Sequence, residues 1–176
     1  MRIGFRHADS RYAFFWETAN QPPARWHDVG TGPAQYLADT PDGAWAEFLR
    51  HEEITDPADL AGITRSLWAV ELPDDIDSAE DIALPGGANG YASYPECRSR
   101  ASARRAAGAT KLRGPSAALL PGAARGQVTD RGLHEAPARD GYVWILYGNY
   151  PTLCGWCVVE AGAPPVRVLG LVQHFS

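Results

Sequence analysis

Three side chains of complementary chemistry are equally spaced in the first third of the chain. Arg25, Tyr36 and Glu47 lie eleven residues apart and supply a cation, an aromatic ring and a carboxylate. If consecutive elements carry them, they can surround one cleft, where the planar fork of an arginine suits an anionic ligand. The competing interpretation is a surface arginine, a core tyrosine and a solvated helix acid. Spacing alone leaves both interpretations open.

A strand and a helix are predicted to position two of these residues. The apolar-rich segment Ala34–Ala38 reads as a short strand with Tyr36 at its centre. A helix then begins, because Thr40 is a good N-cap, Pro41 suits the first helical position and Asp42 suits the positive end of the helix dipole. The three elements therefore follow one another without long linkers.

The predicted helix has one apolar face, and Glu47 lies at its edge. At 100° per residue the apolar stripe consists of Ala44, Trp45, Phe48 and Leu49. Glu47 and His51 lie one turn apart beside this stripe, where side chains reach along the rim of a core. They have the spacing of a metal-ligand pair, but the sequence offers no third ligand, so a metal site is disfavoured.

Composition describes one soluble globular domain. The chain has 176 residues, of which 45% are hydrophobic and 21% charged, and its net charge is −5. Lys111 is the only lysine, so arginine supplies almost all positive charge. The acidic balance argues against direct nucleic-acid binding. No apolar run reaches membrane-spanning length, no signal peptide is recognisable, and three cysteines do not describe a disulfide framework. We therefore expect a cytoplasmic protein without membrane contact.

The remaining pattern predicts an α+β fold, with early helices and a strand-rich C-terminal half. Strands are predicted over residues 64–72, Tyr142–Tyr147, 153–159 and 166–172, and a helix over 95–109. Residues 73–90 read as a break and residues 123–140 as a long surface loop. The cluster Phe14, Phe15 and Trp16 is expected in the core.

Three other motifs carry weaker signals. The arginines 98, 100, 104, 105 and 113 are predicted to form a solvated face, with phosphate contact as the alternative. Cys154 and Cys157 form a C-x-x-C inside strand-like sequence, which favours buried structural cysteines over a redox pair or half a zinc site. The glycine-rich segment 86–90 lacks the lysine of a phosphate loop, and Ser116 lacks the G-x-S-x-G context of a hydrolase nucleophile.

An ordered set of short motifs resembles the RES-domain family, which is named for its Arg, Glu and Ser. The motifs are F-R-H at Arg6, R-W-H at Arg25, Q-Y-L-A-D at Tyr36, A-W-A-E at Glu47 and G-P-S-A-A-L at Ser116. The resemblance covers nearly the whole chain, so residues 1–176 are predicted to be a single RES-like domain. It implies the fold of diphtheria-toxin-type ADP-ribosyltransferases, with mixed sheets and flanking helices. Family members include bacterial toxins encoded beside an Xre-type antitoxin, which is therefore the expected protein partner.

The resemblance also implies NAD⁺ as substrate, with no further cofactor and no metal. Loss of nicotinamide leaves an oxocarbenium-like ribose, and Glu47 is the candidate to stabilise it. Arg25 and Arg6 suit the pyrophosphate, and Tyr36 offers its ring to the nicotinamide cation. The implied binding residues also include His7, Trp26 and Ser116, the last as a partner of the ribose or the amide.

The resemblance leaves the acceptor open. The ADP-ribosyl group can go to water, to inorganic phosphate or to a protein, and the non-enzymatic alternative is a module that binds a nucleotide or partner. His7 and His27 stand where many members have a tyrosine and an asparagine. Arg11 competes with Arg6 for the first arginine role, since both have aromatic neighbours.

Overall fold

A seven-stranded mixed sheet forms the centre of the computed structural model, which describes residues 1–87 and 90–175. The strands of the chain are β1 (Ile3–Asp9), β2 (Ala34–Ala38), β3 (Arg65–Glu71), β4 (Glu80–Asp81), β5 (Lys111–Pro115), β6 (Gln127–Thr129), β7 (Leu133–Glu135), β8 (Tyr142–Tyr147) and β9 (Gly155–Gly162). The central sheet has the order β4-β5-β8-β2-β1-β3-β9, and its strand pairs are antiparallel except β4 with β5. The fold is mixed α/β.

An apolar core covers each face of the sheet, and strand β8 contributes side chains to both cores. Val143 and Ile145 belong to the core on one face, whereas Trp144 and Leu146 belong to the core on the other. Successive side chains of a strand point to opposite faces, so a strand buried on both sides reads as a continuous apolar run. The sequence prediction of a strand at Tyr142–Tyr147 is confirmed.

The sheet is nearly divided between β1 and β2. These strands are paired at one position in the described residues, Phe5 with Ala38. By contrast, β1 pairs with β3 along its whole length, and β2 pairs with β8 along its whole length. The division therefore leaves two well-paired half-sheets, β1-β3-β9 and β2-β8-β5-β4, with a crevice between them.

Helix α1 (Pro41–His51) follows β2 directly and packs against both sides of this division. It contacts β1, β2 and the 3₁₀ helix Val166–Leu171. The predicted N-cap is confirmed, because the Thr40 hydroxyl accepts a hydrogen bond from the Gly43 amide at 2.9 Å. Buried Trp45 and Leu49 anchor the apolar face, which leaves Glu47 at the crevice.

Helix α2 (Tyr94–Ala106) carries most of the arginine run, and its arginines bind within the chain. Arg98 and Arg105 donate to backbone carbonyls, and the other two pair with carboxylates, Arg100 with Glu96 and Arg104 with Glu80. The last arginine of the run, Arg113 on β5, pairs with Asp81. The helix matches the prediction for residues 95–109 within three residues at each end.

Two predictions about the elements are wrong. Residues 166–172 form a 3₁₀ helix, Val166–Leu171, rather than a strand. Residues 123–140 contain the exposed hairpin β6-β7, so they are not an unstructured loop. The C-terminal half is rich in strands, β5 to β9, as predicted. Strand β1 escaped prediction because Arg6, His7 and Asp9 interrupt its apolar pattern.

Two predictions of burial are also wrong. Cys154 and Cys157 are exposed, and only Cys97 of the three cysteines is buried, because β9 is an edge strand with largely exposed side chains. Trp16 is 49% exposed, although Phe14 and Phe15 do pack against a core. The glycine-rich segment 86–90 lies partly outside the described residues.

Two further properties concern the described residues only. Neither α-helix has the length and apolar character needed to cross a bilayer. Within residues 1–87 and 90–175, no group of three His, Cys, Asp or Glu side chains is placed to hold a metal ion.

Candidate active site

A cavity of about 300 Å³ occupies the crevice between the half-sheets. Strand β1 contributes Arg6 and His7, and β2 contributes Tyr36. The remaining polar lining comes from α1, from the first residues of β3 and α2, and from the connecting segments: Glu17, Arg25, Glu47, Arg50, His51, Arg65 and Tyr94. The three side chains spaced at eleven residues therefore line one cavity, because the turn, β2 and α1 meet at the division of the sheet.

Glu47 is a half-buried carboxylate on the cavity side of α1. Burial raises the pKa of its carboxyl group, and the nearby charges of His51, Arg50 and Arg25 partly offset this effect. The Ser116 hydroxyl donates to Oε1 of Glu47 at 3.4 Å, which also favours the ionised form. Glu47 thus lies close to several cationic side chains. In its ionised form, its carboxylate is suited to stabilising positive charge that develops on a bound molecule.

Arg25 and Arg50 are both buried arginines of this cavity. Arg25 donates to the Ser93 hydroxyl at 2.9 Å, and its guanidinium lies 4.5 Å from the ring centre of Tyr94. Arg50 donates to the carbonyls of Ala117 and Gln173. Their positions are fixed by these contacts, so both supply positive charge near Glu47 without flexible side-chain motion.

Tyr36 lines the cavity, but its hydroxyl group makes hydrogen bonds with other residues of the protein. It accepts a hydrogen bond from the Trp26 amide at 3.0 Å, and it lies 3.0 Å from Nδ1 of His27. Nε2 of His27 lies 2.9 Å from the Pro22 carbonyl, which can only accept, so Nδ1 is the acceptor for the tyrosine proton. Burial lowers the pKa of His27, consistent with this neutral form. The network fixes the R-W-H segment against β2.

Arg6 already has an anionic partner. It forms an ion pair with Glu17, whose side chain is 6% exposed, and donates to Gln35 at 3.0 Å. Burial lowers the pKa of Arg6 to about 10, so it is still protonated at neutral pH. A carboxylate of the chain itself therefore pairs with Arg6, one of the two arginines that the resemblance assigns to the pyrophosphate.

His7 and Arg65 form a second pair in the cavity, and both residues are half-buried. Nη2 of Arg65 donates to Nδ1 of His7 at 3.1 Å, which requires that nitrogen to be unprotonated. Burial, and then the positive charges of Arg65 and Arg6, lower the pKa of His7 well below its ordinary value. His7 is therefore neutral and acts as an acceptor for Arg65.

Ser116 reaches the site through Glu47. Besides donating to that carboxylate, its hydroxyl accepts from the amides of Ala118 and Leu119, each at 3.3 Å. The neighbouring Pro115 and Ala117 line the cavity, whereas Ser116 is not among the described lining residues. The hydroxyl therefore contacts Glu47 in this structure, and its contact with substrate stays a prediction.

The structure thus gathers the sequence-predicted residues in one place. Arg6, His7, Arg25, Trp26, Tyr36 and Glu47 line the cavity, and Ser116 contacts Glu47. Arg11, the competitor of Arg6, pairs with Asp9 at 2.9 Å on the surface. Sequence reasoning missed Glu17, Arg50 and Arg65. The local sequence points to Arg50 alone among these three, because it directly precedes His51 on the helix that carries Glu47.

The fold and cavity define a mixed α/β protein with a charged crevice in a divided sheet. Residues 1–135 of the chain match the family model of the RES domain, and the chain therefore belongs to the RES-domain family. This family is commonly associated with toxins that act on NAD. No curated protein matches the chain.

Proposed function

We propose that this protein cleaves the bond between nicotinamide and ribose in NAD⁺, as a glycohydrolase or a phosphorylase. The observation that carries the proposal is the half-buried Glu47 carboxylate beside the cations of the crevice. Departure of nicotinamide leaves positive charge on the ribose, and a fixed carboxylate lowers the free energy of that state. NAD⁺ is the substrate in this proposal, and no further cofactor takes part.

The charge of the cavity supports a substrate with a diphosphate. Four arginines and two glutamates line it, Arg6, Arg25, Arg50, Arg65, Glu17 and Glu47, so two positive charges are in excess when all six are ionised. The diphosphate of a dinucleotide carries about two negative charges at neutral pH, and such complementarity favours binding of the correct partner. The aromatic rings of Tyr36 and Trp26 supply apolar wall for the nicotinamide.

The size of the cavity suits one half of the dinucleotide. A volume of about 300 Å³ lies at the lower limit for small-molecule sites. In our proposal the nicotinamide and its ribose enter the crevice, and the adenosine half extends towards the exterior. This arrangement agrees with the ADP-ribosyltransferase-like fold that the family resemblance implies.

We further propose that the chain is the toxin of a toxin–antitoxin pair, with an Xre-type protein as antitoxin. This proposal rests on family membership. Its expected consequence is that expression in a bacterial host depletes cytoplasmic NAD⁺ and stops growth. Normal growth at an unchanged NAD⁺ concentration, with the protein present in folded form, would contradict it.

The direct test of the reaction is release of free nicotinamide from NAD⁺ by purified protein. We expect release, with ADP-ribose as the second product if water is the acceptor. A dependence on added inorganic phosphate, with a phosphorylated ADP-ribose as product, would identify phosphorolysis. Transfer of label from NAD⁺ to protein would instead identify an ADP-ribosyltransferase. Binding of NAD⁺ without any turnover would contradict the enzyme and favour a binding module.

A further inference from the structure

Arg65 is a cavity residue that no motif of the family resemblance includes. It is the first residue of β3, and its backbone is paired with Asp9 of β1. Its side chain is half-buried and lines the same cavity as Glu47 and Tyr36. Burial lowers the pKa of its guanidinium below the ordinary value for arginine, and the carboxylates of Asp9 and Glu52 oppose this effect at longer range.

The contacts of the other cavity arginines distinguish Arg65. Arg6 uses both terminal nitrogens, on Glu17 and on Gln35. Arg50 donates to two backbone carbonyls. Arg25 donates to Ser93 and lies over the ring of Tyr94. These guanidinium groups therefore have structural contacts that hold them to the protein.

Arg65, in contrast, is oriented by uncharged groups. Its Nη2 donates to neutral His7, and its guanidinium lies 4.9 Å from the ring centre of Phe48. Within residues 1–87 and 90–175 Arg65 makes no ion pair with a carboxylate, which distinguishes it from Arg6. The Nε atoms of both arginines are buried without a hydrogen-bond partner. Even partial burial of a cation without an anionic partner costs free energy, and a bound ligand can supply that partner.

We propose that Arg65 binds a phosphate group of the substrate, and that His7 and Phe48 hold its guanidinium in position for that contact. The proposal rests on the proposed function, because it assigns the diphosphate subsite of the same cavity. It transfers to Arg65 the phosphate contact that the resemblance assigns to Arg6, because Glu17 already neutralises Arg6. A guanidinium with unused N–H groups can donate to two phosphate oxygens side by side, which a lysine cannot do.

The test compares a ligand that has the diphosphate with one that lacks it. Calorimetry measures binding of ADP-ribose and of nicotinamide riboside to the wild type, to R65Q and to R65K. We expect R65Q to weaken ADP-ribose binding by about tenfold or more, R65K to weaken it less, and neither to change binding of nicotinamide riboside. The matched control is R113Q, which removes an exposed arginine paired with Asp81 and should change neither affinity.

The outcome separates this inference from the proposed function. Wild-type protein that releases no nicotinamide but binds ADP-ribose through Arg65 would overturn the reaction and keep the subsite. Protein that cleaves NAD⁺ normally, with unchanged ADP-ribose affinity in R65Q, would overturn the subsite and keep the reaction. If R65Q and R65K do not fold, the subsite is tested by modifying the arginine side chains of the wild-type protein with phenylglyoxal. ADP-ribose should protect Arg65 and nicotinamide riboside should not; equal labelling of Arg65 with and without ADP-ribose would overturn the subsite.

Discussion

At the residue scale, the environment of Glu47 combines two opposing effects. Burial disfavours its ionised form, whereas three nearby cationic side chains and the Ser116 hydroxyl favour it. The net effect is a raised pKa, so the carboxyl group gains its proton at a higher pH than an exposed glutamate does. The proposed reaction requires the ionised form, because only a carboxylate stabilises the positive charge that develops on ribose.

The raised pKa of the Glu47 carboxyl group predicts how activity is lost at acidic pH. As pH falls, nicotinamide release should decline with a midpoint above 4.5, the ordinary value for glutamate. S116A removes a hydrogen bond that favours the ionised form, so its midpoint should lie at still higher pH. The measurement is kcat/KM for nicotinamide release as a function of pH, because this quantity reports the ionisation of the free enzyme. S99A, on the exposed surface of α2, is the control. A midpoint at or below 4.5, or the same midpoint in S116A and wild type, would count against this role.

The hydroxyl of Tyr36 is predicted to contribute to stability. Y36F leaves the Trp26 amide and Nδ1 of His27 without their partner in a buried region. An unsatisfied buried polar group costs about 1–3 kcal/mol, so the free energy of unfolding should fall by roughly this amount. Urea denaturation measures the change, with Y12F at an exposed tyrosine as control. Equal stabilities of Y36F and wild type would show that the network is not as described.

At the scale of elements, α1 is the element that brings the site together. It begins directly after β2, and its one face contacts both half-sheets while its edge presents Glu47 and His51. The Thr40 side chain satisfies one of the amides that the first turn leaves unpaired. The position of the carboxylate therefore depends on a cap seven residues away.

Removal of this cap should destabilise the protein. T40A loses the hydrogen bond from the Gly43 amide, and such substitutions cost about 1 kcal/mol. Urea denaturation should show this loss, whereas T152A, at an exposed position outside the sheet, should leave stability unchanged. A Thr40 variant as stable as wild type would indicate that the α1 terminus is satisfied in another way.

Local chemistry determined which elements could be predicted from the sequence. Thr40 and Pro41 mark the start of α1 by themselves, and the apolar run of β8 identifies a buried strand. The segment 166–172 was ambiguous, because its valines and leucines fit a period of three as well as a period of two. Tertiary packing against α1 selects the 3₁₀ helix there.

The residues of the site likewise divide into those that the local sequence predicts and those that depend on tertiary structure. Arg25, Tyr36 and Glu47 lie close in sequence, so turn, strand and helix signals were enough to suggest one cleft. Glu17 and Arg65 could not be predicted this way. Glu17 lies in an irregular segment, and Arg65 reaches His7 across 58 residues of sequence. Their roles depend on strand pairing that the local sequence does not specify.

At the scale of the whole molecule, the fold depends on residues beyond the family match. The match ends at residue 135, whereas β8 begins at Tyr142 and pairs with both β2 and β5. Its side chains Trp144, Ile145 and Leu146 are at most 4% exposed and belong to both cores. A half-sheet without this strand would expose apolar surface on both faces.

A fragment of residues 1–135 is therefore predicted not to fold. Thermal unfolding followed by circular dichroism should show no cooperative transition. The control is removal of residues 127–135 from the full chain with a short glycine linker. That hairpin is exposed, and the Ala136 amide lies 2.9 Å from the Gly126 carbonyl, so the ends are close. A cooperative transition in the fragment, or its loss in the hairpin deletion, would contradict this account of the core.

The central claim is that Glu47 acts on NAD⁺ during bond cleavage, and one variant tests it most directly. E47Q keeps the shape of the side chain and removes a carboxylate whose raised pKa makes its ionised form unfavourable to folding, so the variant should remain folded at neutral pH. E96Q, which removes an exposed carboxylate on α2, is the control. Calorimetry with NAD⁺ and assay of nicotinamide release are carried out on the same preparations. We predict that E47Q binds NAD⁺ and releases no nicotinamide, whereas E96Q does both like wild type. Release by E47Q at the wild-type rate would contradict the account.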